Sequence, residues 1–251
     1  MAGTRRNRRR RRGRYSFLLK LFGFAVAVAA ILAAVTLFFR MDHIVVQGCE
    51  RYSEQDIVGA SGLKMGGNLY FLNKYDVKEA IFAKLPYVEE VRINRKLPDT
   101  LLIEVRECKA AAGVSDATEL WLISDQGKLL EKTTSVPAGC PLITGASLIA
   151  PAPSAKMDAG KDAAYRTGVV LTLLRESAAH RMRENIGEIE MGDDTALSFT
   201  YLGRFTVRLP WTADLDYKLD NLAYVVDNLE NNETGRIDLM TEGKASFIPA
   251  G

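Results

Sequence analysis

One uncharged, strongly apolar segment near the amino end constrains this chain more than any other feature of its 251 residues. Residues 21–39 contain no charged side chain, and eleven of them are Leu, Ile, Val or Phe. A helix that rises about 1.5 Å per residue needs about 20 residues to cross a hydrocarbon layer of about 30 Å. The segment therefore predicts a membrane-spanning helix over residues 21–40.

A cleaved signal peptide is the alternative interpretation of this segment. Such a peptide needs an apolar stretch of about 7–15 residues that ends in small residues at a cleavage site. Ala27 and Ala29 supply small residues, but they lie inside the apolar run, and residues 31–39 still follow. We therefore expect the segment to be retained as an anchor.

The charge of the chain is divided between a basic arm, residues 1–20, and an acidic body. The arm holds nine of the 33 basic residues and no acid, which leaves 24 basic and 31 acidic residues behind it. Under the positive-inside rule the arm stays in the cytoplasm and the rest lies outside, as in a single-pass type II protein of the cell membrane. Eight arginines can contact anionic lipid headgroups. No aromatic residue interleaves them before Tyr15, so no nucleic acid is expected as a partner.

The first unit beyond the membrane, residues 41–109, shows the predicted order β-α-α-β-β. Ser53, three residues before Asp56, is a hydroxyl N-cap pattern for a helix, and the last strand alternates strictly. The elements are a strand at His43–Val46, a helix starting at Ser53, a helix from near Asp76, and strands at Tyr87–Arg95 and Thr100–Glu107.

The second unit, residues 110–251, predicts a mixed α+β domain with an antiparallel sheet. A helix over Asp162–Met182 is expected to bury Tyr165, Val169 and Leu173, and a second helix carries an apolar stripe from Leu215 to Leu229. The predicted strands are a hairpin at Trp121–Leu130, a short strand at Pro141–Gly145, three strands at Ile186–Met191, Ala196–Tyr201 and Phe205–Leu209, and a last strand at Arg236–Met240, which Gly243–Phe247 could continue.

The chain shows no pattern typical of a catalytic or metal site. His43 and His180 are its two histidines, and neither has a second histidine or an acid at ligand spacing in a shared motif. Its three cysteines form no C-x-x-C pair. We therefore expect a non-enzymatic binding protein with no catalytic residues, no cofactor and no metal. A secreted hydrolase on a membrane tether is the opposing class.

Several short motifs resemble the POTRA domain and following domain of the FtsQ/DivIB cell-division family. The match is most specific at Leu97–Glu107, which reads LPDTLLIEVRE. The other matching segments are Ile44–Gly48, Gly67–Phe71, Leu85–Val88, Trp121–Leu130 and Pro141–Gly145. A single POTRA copy after a retained anchor favours this family. The alternative is a membrane-anchored POTRA-type chaperone for protein export or envelope assembly.

The resemblance implies a divisome scaffold at the division septum. FtsQ/DivIB proteins bind the membrane-anchored coiled-coil proteins FtsB, or DivIC, and FtsL, and through them help recruit or regulate septal peptidoglycan synthases. In the family the main FtsB/DivIC contact uses the last helix and last strand. Carried over to this sequence, the partner-binding residues are Tyr224, Asn228, Arg236, Ile237, Asp238, Leu239, Met240 and Phe247.

A terminal strand suits that role because one row of its backbone groups has no neighbour. An extended partner segment can pair with that row and so add a strand to the sheet. We expect Arg236–Met240 to form this edge. In the alternative, the chain's own residues 243–249 cover the strand.

The resemblance also bears on whether two of the cysteines form a disulfide. In POTRA folds the first and third strands are parallel neighbours. Cys49 lies just past the end of the first strand, and Cys108 lies at the end of the third. A disulfide between them is one expectation in an extracytoplasmic setting. Unpaired thiols are the other.

Overall fold

The computed structural model describes residues 12–116 and 119–250. Its first element, α1 (Arg12–Phe38), begins earlier than the predicted span. The 22 residues Phe17–Phe38 are long and apolar enough to cross a membrane. Most of the predicted basic arm, residues 1–11, lies outside the described residues.

Two compact units follow from the distribution of contacts. One comprises residues up to Ala80 with Val91–Val105, and the other comprises Ile81–Glu90 with the residues from Arg106 onward.

A three-stranded sheet with two helices confirms the predicted β-α-α-β-β order. The strand order is β1-β3-β2, with β1 parallel to β3 from the pair His43–Thr100 to the pair Gln47–Glu104. The elements are β1 (His43–Gln47), α2 (Glu54–Ser61), α3 (Lys74–Lys84), β2 (Val88–Lys96) and β3 (Thr100–Glu107). Leu101 and Ile103 of the central strand β3 are fully buried, as the alternating pattern requires.

The start of α2 is fixed by the capping pattern that the sequence predicts. The Ser53 hydroxyl accepts the backbone N–H of Asp56 at 3.1 Å. In return, a carboxylate oxygen of Asp56 accepts the backbone N–H of Ser53 at 3.0 Å. Both bonds satisfy donors that a helix start leaves without partners. At the other end Gly62 adopts the left-handed conformation that stops the helix.

The second unit is built on a nine-stranded sheet in the order β12-β11-β10-β9-β8-β7-β4-β5-β6. The α+β fold class is confirmed, but the sheet is mixed rather than antiparallel, because β4–β7, β7–β8 and β10–β11 are parallel pairs. Its strands are β4 (Ala112–Ser115), β5 (Leu120–Ile123), β6 (Leu129–Thr133), β7 (Leu142–Thr144), β8 (Ile186–Glu190), β9 (Leu197–Tyr201), β10 (Phe205–Leu209), β11 (Gly235–Asp238) and β12 (Ser246–Pro249).

Two helices pack on this sheet and complete its core. They are α4 (Ala164–Ala179) and α5 (Leu215–Asp227). Leu173 of α4 and Leu219 of α5 are buried in one cluster with strand residues such as Phe199. The prediction that Tyr165 is buried is wrong. Its ring is exposed, while its hydroxyl donates to the carbonyl oxygen of Trp211 at 3.1 Å.

No disulfide joins the three cysteines, all of which lie within the described residues. The expected bond between Cys49 and Cys108 is therefore absent from the structure, and the alternative of unbridged thiols applies. Gly48 turns the chain at a φ of 87° as soon as β1 ends, and the buried Cys108 sulfur lies 3.4 Å from the carbonyl oxygen of Tyr87.

Candidate partner-binding edge

The strand that the sequence predicts as the open edge is not the edge. β11 pairs with β10 on one side and with β12 on the other. The predicted edge at Arg236–Met240 is therefore wrong, and the alternative, in which residues 243–249 cover it, is what the structure has. Those residues do not continue β11. They turn back after it and form an antiparallel strand whose hydrogen bonds satisfy the β11 backbone.

β12 forms this edge of the nine-stranded sheet, since within the described residues it pairs only with β11. Ala250 donates its backbone N–H to the carbonyl oxygen of Thr234 at 2.9 Å. Ile248, two residues earlier and opposite Arg236, directs its backbone groups toward β11 in the same way. Alternate residues of a strand direct their backbone groups to opposite sides. The N–H and C=O of Phe247 and the C=O of Pro249 therefore point away from β11. Pro249 has no N–H, but because this position faces away from β11, no hydrogen bond between the two strands is lost.

The side chains of β12 divide between the core and the solvent. Phe247 lies opposite the buried Ile237, and its ring meets that of Phe205 edge to face with centroids 6.0 Å apart. Ile248 points the other way and remains 43% exposed. β12 is thus anchored by one aromatic ring and presents one apolar side chain beside its outward backbone groups.

Gly235 lets β12 approach β11 closely at the end of the ladder. A Cβ atom at this position would lie 2.2 Å from the carbonyl oxygen of Ile248, which no side chain can tolerate. The absence of a side chain at Gly235 is therefore a condition for β12 to pair here.

Two cations fix the loops at either end of β11. Lys218 of α5 is buried and donates from Nζ to the carbonyl oxygens of Leu239 at 2.7 Å and Thr241 at 3.0 Å. Arg204 donates from Nη1 to the carbonyl oxygens of Glu230 at 2.7 Å and Glu233 at 2.9 Å. Each cation satisfies two backbone acceptors, so the loops before β11 and after it are held without further secondary structure.

The predicted partner-binding residues fall into three groups by exposure. Ile237 and Leu239 are buried in the core and cannot meet a partner without unfolding, whereas Asp238, Met240 and Phe247 are partly buried. The exposed ones are Arg236 on β11 and, on α5 and its carboxyl end, Tyr224 and Asn228. Tyr224 is 72% exposed, and its backbone carbonyl oxygen accepts a hydrogen bond from the side-chain amide of Asn228 at 2.7 Å.

Sequence reasoning missed Ile248, Gly235 and the two loop-holding cations. The signal for Lys218 was present, because it interrupts the apolar stripe of α5 between Leu215 and Leu222 at a position that faces the core. A lysine in such a position needs buried acceptors.

Sequence reasoning also missed a group of metal-ligand type between α4 and α5. The ligand atoms of Glu176, His180 and Asp216 lie within 4.8 Å of one another. His180 Nε2 is 2.8 Å from Asp216 Oδ1, and Nδ1 is 3.3 Å from Asp220 Oδ1. Each ring nitrogen faces a carboxylate, so these side chains form a polar bridge between the two helices.

An apolar amino-terminal helix, a β-α-α-β-β unit of the POTRA type and a larger mixed sheet define the fold class of this chain. The family model described as the POTRA domain, FtsQ-type, matches residues 39–107. The model described as the cell division protein FtsQ/DivIB, C-terminal, matches residues 113–240. The chain belongs to the FtsQ/DivIB family of cell-division proteins.

Named relatives agree with this assignment. The chain is 31% identical over 128 residues to the cell division protein DivIB of Clostridium botulinum (strain Loch Maree / Type A3), covering 51% of this chain and 50% of that protein. It is 25% identical over 230 residues to the cell division protein FtsQ of Geotalea daltonii, covering 86% of this chain and 82% of that protein. The chain thus spans about half the length of the botulinum DivIB relative.

Proposed function

We propose that this chain is a non-enzymatic scaffold of the divisome that presents the outer edge of β12 to a partner strand. α1 anchors it as a single-pass type II protein with the arm in the cytoplasm and both units outside, at the septum. Its partners are FtsB/DivIC-like and FtsL-like membrane coiled-coil proteins, through which septal peptidoglycan synthases are recruited or regulated.

The observation that carries the proposal is the outward row of backbone groups at Phe247 and Pro249. An added strand would bond to these groups, and backbone pairing of this kind supplies affinity with little dependence on sequence. Ile248 and the exposed Tyr224 would then select the partner through their side chains. Because β12 has only four residues and includes a proline, the added segment is short.

Binding of the cognate FtsB/DivIC-class protein to the full chain in nanodiscs tests the proposal. Ile248→Lys places a charge beside the outward row without touching the core. We expect the Kd to rise about tenfold or more, the equivalent of about 1.4 kcal/mol. A substitution at Leu239 would not be informative, because this side chain is buried.

The opposite edge of the same sheet offers a matched control. Thr133→Lys introduces the same charge on β6, the other terminal strand of the nine-stranded order. We expect this variant to bind the partner like the unmodified chain. Equal affinities for the Ile248→Lys variant and the unmodified chain, with both proteins folded, would rule out β12 as the binding edge.

A further inference from the structure

The residues directly after α1 pair with a loop that connects α2 to α3. We call residues 62–73 the juxtamembrane loop. Met41 donates its N–H to the carbonyl oxygen of Gly67 at 2.7 Å, and Gly66 donates to that of Met41 at 2.8 Å. Leu69 donates to the carbonyl oxygen of Phe39 at 2.9 Å. Three backbone bonds thus fix the loop against the exit of the apolar helix.

Asn68 ties this loop to the last turn of α1. Its Nδ2 donates to the carbonyl oxygen of Val35 at 3.0 Å, which also accepts the backbone N–H of Phe39 at 3.2 Å. Its Oδ1 accepts the backbone N–H of Tyr70 at 2.8 Å and of Phe71 at 3.3 Å. The aromatic part of the loop therefore lies at the level of the last turn of α1.

Large apolar side chains of the loop are exposed at that level. Phe71 is 68% exposed, Met65 63% and Tyr70 55%, and the Tyr70 ring lies 5.2 Å from that of Phe39. Exposed apolar groups gathered in one region mark a surface that another phase or molecule covers.

A second segment brings further apolar and basic groups to the same end of the unit. Asp42 and His43 donate their N–H groups to the carbonyl oxygen of Asp99 at 2.9 and 3.2 Å, so the β2–β3 turn also lies beside the exit of α1. Leu97 in that turn is 53% exposed. Exposed cations accompany both segments, namely Arg40, Lys64 and Lys96.

We propose that Met65, Tyr70, Phe71 and Leu97 insert into the interfacial region of the outer leaflet of the bilayer that α1 crosses. The inference rests on the proposed anchoring by α1. Tyr and other rings with an apolar body are favoured at the level of the headgroups, and nearby Arg and Lys are attracted to anionic lipids. The insertion would hold the first unit at a fixed height on the membrane surface.

Fluorescence quenching by lipids in liposomes that contain the full chain tests this insertion. Phe71→Trp and Leu97→Trp each add one tryptophan to the native Trp121 and Trp211, whose signal is subtracted with the unmodified chain. We expect lipids brominated near the headgroup end of the acyl chain to quench the added tryptophans about twofold more strongly than lipids brominated near its terminal methyl.

Two further positions serve as controls. Phe38→Trp lies at the exposed end of α1 and should be quenched if α1 spans the bilayer. Glu54 is exposed at the start of α2, and it follows β1, which runs away from the membrane end of the unit. Glu54→Trp should therefore not be quenched.

The outcomes separate the two proposals. If Phe38→Trp is not quenched, or if the reconstituted chain begins after α1, the anchoring fails. If Phe38→Trp is quenched while Phe71→Trp and Leu97→Trp behave like Glu54→Trp, the anchoring stands and the insertion is wrong. The same result is expected if a protein partner, rather than lipid, covers this surface.

Discussion

The ammonium group of Lys218 lies 2.7 Å from the carbonyl oxygen of Leu239 and joins the buried face of α5 to the first residue after β11. A second bond reaches Thr241 at 3.0 Å. Through these two acceptors, one buried cation sets the path of the chain from β11 toward β12. The proposed binding edge therefore depends on a residue that never meets the partner.

We expect Lys218→Met to lower the free energy of unfolding by about 2 kcal/mol, because the buried bond to Leu239 is a hydrogen bond to a charged group, worth about 1.5–3 kcal/mol, whereas the carbonyl of the exposed Thr241 can bond to water instead. Urea denaturation of the full chain, followed by tryptophan fluorescence, measures this loss. Lys244→Met removes an exposed lysine from the β11–β12 connection and should be nearly neutral. Equal stability of the two variants would contradict the role of Lys218.

Gly48→Ala should destabilise the three-stranded sheet. The residue has a φ of 87°, and a Cβ atom there would lie 2.1 Å from the carbonyl oxygen of Val105. Gly62 provides a matched control, because it also has a positive φ, of 69°, but open space around its Cβ position. Gly62→Ala should cost about 1–2 kcal/mol from backbone strain alone.

We expect Gly48→Ala to cost about 1–3 kcal/mol more than Gly62→Ala because the clash adds to the strain. Hydrogen–deuterium exchange of the β1 and β3 amides at neutral pH measures the difference. Equal protection factors in the two variants would show that the contact with Val105 carries no penalty.

Acidification should weaken the start of α2. Hydrogen bonds from the Ser53 side chain and then from its backbone lower the pKa of Asp56 below its usual 3.8. A depressed carboxyl pKa in the folded state contributes stability above the unfolded pKa, and this contribution is lost as the pH falls through the folded pKa. Protection of the α2 amides from hydrogen exchange should therefore decrease once the pH is lowered below about 4.

Comparison with Asp56→Asn isolates this effect. The variant should protect α2 less than the unmodified chain at pH 7, and the difference should shrink as the pH falls. Glu54→Gln removes an acid from the same first turn without removing a capping bond, so its protection should follow the unmodified chain. A constant difference between Asp56→Asn and the unmodified chain at all pH values would contradict the assignment.

The thiol of Cys108 should react slowly in the folded protein. Burial raises its pKa above the usual 9.0, so the reactive thiolate is scarce at pH 8, and the side chain is also buried. Maleimide labelling followed by mass spectrometry should modify Cys108 last under native conditions and all three cysteines after denaturation without reductant. Recovery of a Cys49–Cys108 peptide pair would contradict the structure.

The elements that sequence predicts best have strong local patterns. The alternation of Leu101, Ile103 and Val105 and the pairing of Ser53 with Asp56 depend on neighbours within a few residues, so they could be recognised without knowing the fold. β4 escaped prediction because its four residues AGVS carry too short a pattern.

The candidate site was harder to predict because its geometry depends on distant pairing. β12 contains a proline and shows no alternation, and it is a strand only because β11 offers it a ladder. The presence of Lys218 in the stripe of α5 could have indicated buried acceptors, but nothing in the sequence says that they belong to Leu239 and Thr241. Of the predicted residues, Phe247 alone lies on the edge strand β12, whereas Arg236–Met240 lie on or directly after β11, one strand further in.

The parallel pairing of β1 with β3 has a consequence for biosynthesis. His43, just after the apolar helix, finds its ladder partner Thr100 only 57 residues later. In the proposed topology, translocation delivers the chain from its amino end, so β1 emerges first and remains beside the bilayer until β3 arrives. During that interval its backbone is open to wrong pairings, so a nascent chain stalled before residue 100 should be a preferred substrate for envelope chaperones and proteases.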